Sequence, residues 1–258
     1  MYKWFILALI VMIRACHSNE IRKIPLEDKQ KLERFFMFLM TQTSFGYTLC
    51  GDKPCSIHTY LKLTECPPVF AVNVFLKYPN YSTLIQGWNS WSRYSDQFPS
   101  KNFVFRHVPK YNTLVLINKK ATRKVIQQNL DIFQKFSKKA FTVQELLDEI
   151  CCPKGKDYLI NYNIALLGVL LGYGRNNALA FSQKGNIQIL KIFELDKSYQ
   201  LFNVIFNPGF MSIQNGTNEE ENIMLIKKLQ KAKRTALKEF KEKKYFENFI
   251  KIFTSDIH

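Results

Sequence analysis

The sequence predicts an α+β fold: a predominantly helical single domain with a small antiparallel sheet and a long C-terminal amphipathic helix. Three observations carry this reading. Apolar residues recur at three-and-four spacing in several separate stretches, most regularly near the C-terminus. Two short segments rich in aromatic and aliphatic residues, 103–108 and 114–117, flank Pro109-Lys110-Tyr111-Asn112 and so read as strand, turn and strand. Strands and helices do not alternate regularly, which argues against a doubly wound parallel sheet. With 258 residues, 47% hydrophobic and 22% charged, the chain can bury a sizeable core, and disordered or low-complexity classes are excluded.

The first residues read as an address. Lys3 precedes an uninterrupted apolar run over 4–13, which is closed by Arg14-Ala15-Cys16. That is signal-peptide length, short of the ~20 residues of a spanning helix. Residues 1–16 are therefore expected to be an export signal, 17–221 a globular α+β domain and 222–258 a basic amphipathic helix packed on it. Ile13-Arg14-Ala15-Cys16 also resembles the bacterial lipoprotein box, which would make Cys16 a lipidation site. Arg14 stands where that box has a small or apolar residue, and a cleaved or anchoring signal is the alternative.

Pro25 followed by Glu27 and Asp28 marks a helix start, and Leu32, Phe35, Phe36, Leu39 and Met40 give it a core face. Residues 45–50 read as extended, Gly51-Asp52-Lys53-Pro54 as a turn, 69–76 as an apolar stretch, and 79–100 as an aromatic-bearing loop. After the hairpin, Asn118 is the expected cap of a basic helix running to about 137. Thr142 and Glu145 form a capping-box pattern, and Asp157 can cap a helix that carries the apolar run 164–171. A strand pair is expected at 187–195 and 199–205. A second capping box at Thr217 and Glu220 opens the C-terminal helix, with Leu225, Leu229, Ala232, Ala236 and Phe240 on its inner face.

Chemical motifs are sparse. No G-x-S-x-G, H-E-x-x-H, Walker or G-x-G-x-x-G pattern occurs, so the common hydrolase, metalloprotease and nucleotide-binding fingerprints are missing. Internal histidine chemistry would rest on His58 and His107, and His107 reads better as a hydrogen-bonded structural group on a strand. Cys50, Cys55, His58 and Cys66 offer enough ligands for zinc, but the spacing matches no standard finger or ribbon. Disulfides or buried thiols are the better reading, and no metal or cofactor is expected. The most distinctive segment is Leu170-Leu171-Gly172-Tyr173-Gly174-Arg175-Asn176-Asn177-Ala178. If one helix ran through it, Gly168, Gly172, Arg175, Asn176 and Leu179 would share a face. Asp52, Lys53, Arg175, Asn176 and Asn177 then make a candidate ligand site suited to a carboxylate or a phosphate, weighed against a helix end tied to a neighbouring loop.

The segments Phe45-Gly46-Tyr47-Thr48-Leu49 with Gly51-Asp52-Lys53-Pro54, and 170–178, resemble a pair of motifs in uncharacterised exported proteins of chlamydia-like intracellular bacteria. The resemblance implies a bacterial envelope or host-facing setting and suggests that the two segments meet in space. It carries no activity.

Charge completes the reading. The formal net charge is +16, and it is concentrated: 101–139 hold ten basic residues against one acidic, and 222–258 ten against four. Lys119, Lys120, Arg123 and Lys124 with Lys227, Lys231, Arg234 and Lys238 are the expected basic surface. The expected function is an exported, non-enzymatic, membrane-associated protein of the bacterial envelope whose basic surface meets anionic lipid or an acidic protein partner. An enzyme of unfamiliar type with its pocket at Arg175-Asn176-Asn177 is the alternative. A nucleic-acid binder ranks lower, because Lys outnumbers Arg and an exported chain rarely meets nucleic acid. Solvated helix faces are the plain alternative to any basic docking surface.

Overall fold

A computed structural model of the chain describes residues 20–60, 81–137, 140–152, 163–183, 187–190, 210–213 and 219–255. The expected signal over 1–16 with Cys16, the apolar stretch 69–76, Cys66, Asp157 and the Thr217 capping box lie outside these residues. The fold is α+β and mostly helical. Helices α1 (Leu26–Gln42) and α2 (Phe45–Leu49) lead into strand β1 (Cys55–Thr59); α3 (Tyr81–Tyr94) precedes the hairpin of β2 (Phe103–Val108) and β3 (Thr113–Asn118). Four helices follow, α4 (Lys119–Gln128), α5 (Leu130–Ser137), α6 (Val143–Cys151) and α7 (Ile164–Leu170), and then α8 (Arg175–Ser182). A two-stranded ladder of β4 (Ile187–Leu190) and β5 (Phe210–Ile213) precedes α9 (Glu219–Glu239) and α10 (Tyr245–Phe253).

The main sheet has the order β1-β3-β2 with both pairings antiparallel, setting Cys55 opposite Ile117 and Val104 opposite Ile117 on the other side. All six residues of β3 are buried. The cause is that helices cover both faces. Leu114 and Leu116 point into a core shared with α1, α2, α3, α9 and α10, whereas Val115 and Ile117 point into a second core built from α4 to α8. The first core is aromatic: Phe36 stacks on Phe249 at 4.0 Å between centroids and meets Trp91 edge-on at 5.4 Å. The hairpin turns as expected, with Asn112 in the left-handed region at φ 46°.

Several expectations are corrected. Residues 45–49 are helical rather than extended, and all five of them, Thr48 as well as Phe45, Tyr47 and Leu49, are buried. Most of the aromatic stretch 79–100 is α3, whose Trp91 and Leu84 enter the core beside α1; its polar residues form the outer side of an amphipathic helix. The helix starting after Asn118 breaks at Asn129, whose side chain donates to Val125 O at 2.8 Å and closes α4. Cys55–Thr59 forms a strand, where the sequence suggests only part of a cysteine cluster. β4 pairs with Phe210–Ile213, and the expected strand at 199–205 lies outside the described residues. The C-terminal helix is two helices, broken between Glu239 and Tyr245 where Lys243 has φ 58°. Asn118, Thr142 and Glu145 cap as expected.

Candidate functional site

The turn after α2 is pinned by the end of β3. Asn118 Nδ2 donates to Thr48 O and Gly51 O at 3.4 and 3.2 Å, its backbone amide donates to Pro54 O at 2.8 Å, and Thr122 Oγ1 donates to the same carbonyl. Gly51 lets α9 approach: a Cβ there would lie 2.4 Å from that of Ala232. Lys53 is buried, and its Nζ donates to Cys55 O and, at 2.7 Å, to Leu171 O. The turn and the end of α7 therefore meet, joined by a lysine strut. Burial brings the Lys53 amine down to about 8.

Of the two readings of 170–178, one continuous helix or a helix end tied to a neighbouring loop, the structure has the second. Gly172 and Gly174 have φ of +79° and +89°, which ends α7 and re-aims the chain so that α8 starts at Arg175. Gly168, Gly172, Arg175, Asn176 and Leu179 thus do not share one helical face. The reversal presents the first amides of α8 to α9: Asn176 N and Asn177 N donate to Glu221 Oε1 and Oε2 at 3.2 and 3.0 Å. A carboxylate of α9 thereby meets the positive end of α8. Arg175 forms a bidentate pair with Asp131 of α5 at 2.8 and 2.7 Å, which holds the Asp131 carboxyl down to about 2. Asn177 is buried and donates to Tyr173 O and Asn222 Oδ1.

Between these segments lies a cavity of about 310 Å³. The turn after α2 supplies Asp52 and Lys53, the end of α4 supplies Val125 and Gln128, the α7–α8 reversal supplies Arg175, and α9 supplies Glu221, Met224, Lys228 and Leu229. Of the five expected ligand residues, Asp52, Lys53 and Arg175 converge on it. Asn176 is at the surface and contributes its backbone amide to Glu221, while Asn177 faces a smaller, apolar cavity of about 180 Å³ between α7 and α8. Gln128, Glu221 and Lys228 were missed. Glu221 was legible only as first-turn charge of its own helix, and nothing local marks it as a cap for another.

The basic residues divide. Arg123 Nη2 donates to Gln144 Oε1 of α6 at 2.7 Å, and Lys119 lies close enough to Cys151 of α6 to oppose the upward push of burial on that thiol. Arg123 stands two residues, about 200°, from the cavity-lining Val125 around α4. Arg123 and Lys119 are thus engaged with α6. On α9, by contrast, Lys227, Lys231, Arg234 and Lys238 follow one another at spacings of four, three and four, opposite the buried Leu229, Ala232 and Ala236. All four are exposed and none has an ion-pair partner among the described residues. Ile223 and Met224, 50% and 56% exposed, stand on the same outer side one turn earlier.

Cys50 belongs to the aromatic core and Cys55 to the second core, on opposite sides of the sheet; both are free thiols, and burial pushes each up to about 12. Among the described residues no cluster of His, Cys, Asp or Glu is placed to hold a metal ion. His107 shares a hydrogen bond of 3.0 Å with the Tyr60 hydroxyl, the structural role expected of it. No helix among the described residues is long and apolar enough to cross a membrane. No family model matches the chain, and no curated protein or solved structure matches it significantly.

Proposed function

We propose that the protein is an exported, non-enzymatic, peripheral membrane protein that docks on an anionic lipid surface through the outer face of α9. The observation that carries this reading is the composition of that face: four exposed cations without ion-pair partners among the described residues, beside the exposed Ile223 and Met224. Interfacial helices combine these two features, since apolar side chains enter the headgroup boundary while each Lys or Arg near an anionic leaflet adds about 1 kcal/mol.

Purified protein sedimented with vesicles tests the reading. Binding to phosphatidylglycerol-containing vesicles should exceed binding to phosphatidylcholine alone and should fall with added salt. Lys227→Glu/Lys231→Glu/Arg234→Glu should weaken it by about a hundredfold or more. Equal binding to both vesicle types, or an unaffected triple variant, would overturn lipid docking in favour of an acidic protein partner. The proposal includes a lipid anchor at Cys16: a labelled fatty-acid precursor should mark the wild type and leave Cys16→Ala unlabelled, and equal labelling of both would remove that anchor.

A further inference from the structure

The cavity contains groups that the fold does not use. Around its wall, Arg175 is closed by Asp131, Glu221 by the amides of Asn176 and Asn177, and the Lys53 amine by two carbonyls. Three polar side chains are left over. Asp52, Gln128 and Lys228 have no hydrogen-bond or ion-pair partner among the described residues, although all three line the same space. Much of the remaining wall is aliphatic, with Val125, Val169, Leu225 and Leu229. One carboxylate, one ammonium and one carboxamide, all exposed and without a protein partner among the described residues, thus share the cavity wall with aliphatic side chains.

Charge complementarity narrows what such a space would accept. A simple anion would meet Asp52, a simple cation would meet Lys228, and a neutral apolar molecule would desolvate both charges without compensation. A molecule carrying both signs satisfies all three groups. We propose that the cavity binds a small zwitterion with an aliphatic part: its ammonium at Asp52, its acid group at Lys228 and the Gln128 amide, and its carbon skeleton on Val125, Leu225 and Leu229. The volume, about 310 Å³, is at the lower end of the ~300–1,000 Å³ of small-molecule sites, so the ligand is of amino-acid size. A free aliphatic α-amino acid has this chemistry, and so has the ethanolamine phosphate headgroup of a zwitterionic phospholipid. The inference does not depend on lipid docking by α9.

Calorimetric titration of the full chain with L-leucine and, separately, with monomeric dihexanoyl phosphatidylethanolamine tests both sources. At least one should bind. For leucine, 4-methylpentanoate and 3-methylbutylamine each lack one charge and should bind about tenfold or more weakly; for the lipid, the dihexanoyl phosphatidic acid control should do the same. Asp52→Asn and Lys228→Met should each weaken the bound zwitterion by about tenfold or more. Both residues are at the surface, so the variants should keep the wild-type circular dichroism spectrum. Binding of leucine alone assigns the site to free amino acids, and binding of the lipid alone assigns it to the headgroup. Failure of both probes, equal binding of the single-charge controls, or unchanged binding by both variants would overturn the proposal. Asp52 is not on α9, so Asp52→Asn should leave sedimentation with anionic vesicles intact, and this separates failure of the cavity proposal from failure of lipid docking.

Discussion

Lys53 shows how a single side chain can be both a strut and a liability. Its ammonium is buried and held by the carbonyls of Cys55 and Leu171, which joins the turn after α2 to the end of α7. Burial disfavours the charged form, and the amine falls to about 8 from a usual value of 10.5. Because the folded-state value is the lower one, the folded protein binds fewer protons than the unfolded chain between these two values, and Lys53 makes stability rise with pH across that window. The unfolding free energy of the wild type minus that of Lys53→Met should therefore increase from about pH 8 to pH 10.5, by up to about 3 kcal/mol. Urea titrations at several pH values measure this, and a constant difference would show that the amine does not titrate in that window. Asp28 illustrates the opposite sign: hydrogen bonds from Tyr94 and Ser90 and the Arg93 cation hold its carboxyl below the usual range, so its contribution is lost on acidification.

Helices in this protein are joined by carboxylates that cap an element other than their own. Glu221 of α9 receives the first amides of α8, and Glu33 of α1 receives Tyr245 N and Phe246 N of α10 at 2.7 and 2.9 Å. In both cases an anion meets the positive end of a helix dipole and satisfies amides that have no intrahelical partner. The α8 cap depends on Gly174, whose φ is +89° and where a Cβ would lie 2.3 Å from the Glu221 carboxyl carbon. Gly174→Ala should thus strain the backbone and displace the cap together, costing about 1–3 kcal/mol. Thermal unfolding of Gly174→Ala, Glu221→Gln and the double variant checks this. Coupled rather than additive losses are expected, and full additivity would show that the two residues act separately.

At the scale of the molecule, the sheet separates two cores of different character. One side holds the aromatic cluster of α1, α3 and α10 with Phe105, and the other a largely aliphatic core under α4 to α8. The C-terminal helices are part of this construction, because Phe249 stacks on Phe36 and Phe253 and meets Trp91 edge-on at 5.6 Å. Phe249→Ala should destabilise the fold by about 3–5 kcal/mol, since it leaves a cavity at the centre of the cluster. Chemical denaturation reads this directly, and a loss under 1 kcal/mol would mean that α10 is peripheral to the core. α9 packs on the same core, with Leu229, Ala232 and Ala236 turned inward and its cationic face turned outward.

Local and periodic signals were enough for the α+β class, the hairpin, the Asn118 cap, the Thr142 capping box and the inward face of α9, because each depends on residues within about one or two turns of one another. The concentration of positive charge in two segments was also written in the sequence. What the sequence left open were properties of neighbours. Residues 45–49 are helical and Cys55–Thr59 is a strand because of what covers them, and the reversal at Gly172 and Gly174 turned one imagined helix face into two helices. Tertiary structure alone decided that Asp52, Lys53 and Arg175 share a cavity while Asn177 does not, that Gln128, Glu221 and Lys228 join them, and that Arg123 turns to α6. The physical reason is the same in each case: hydrogen bonds, ion pairs and cavity walls join residues as many as 213 positions apart, as Glu33 and Phe246 are, and no local pattern encodes such a meeting.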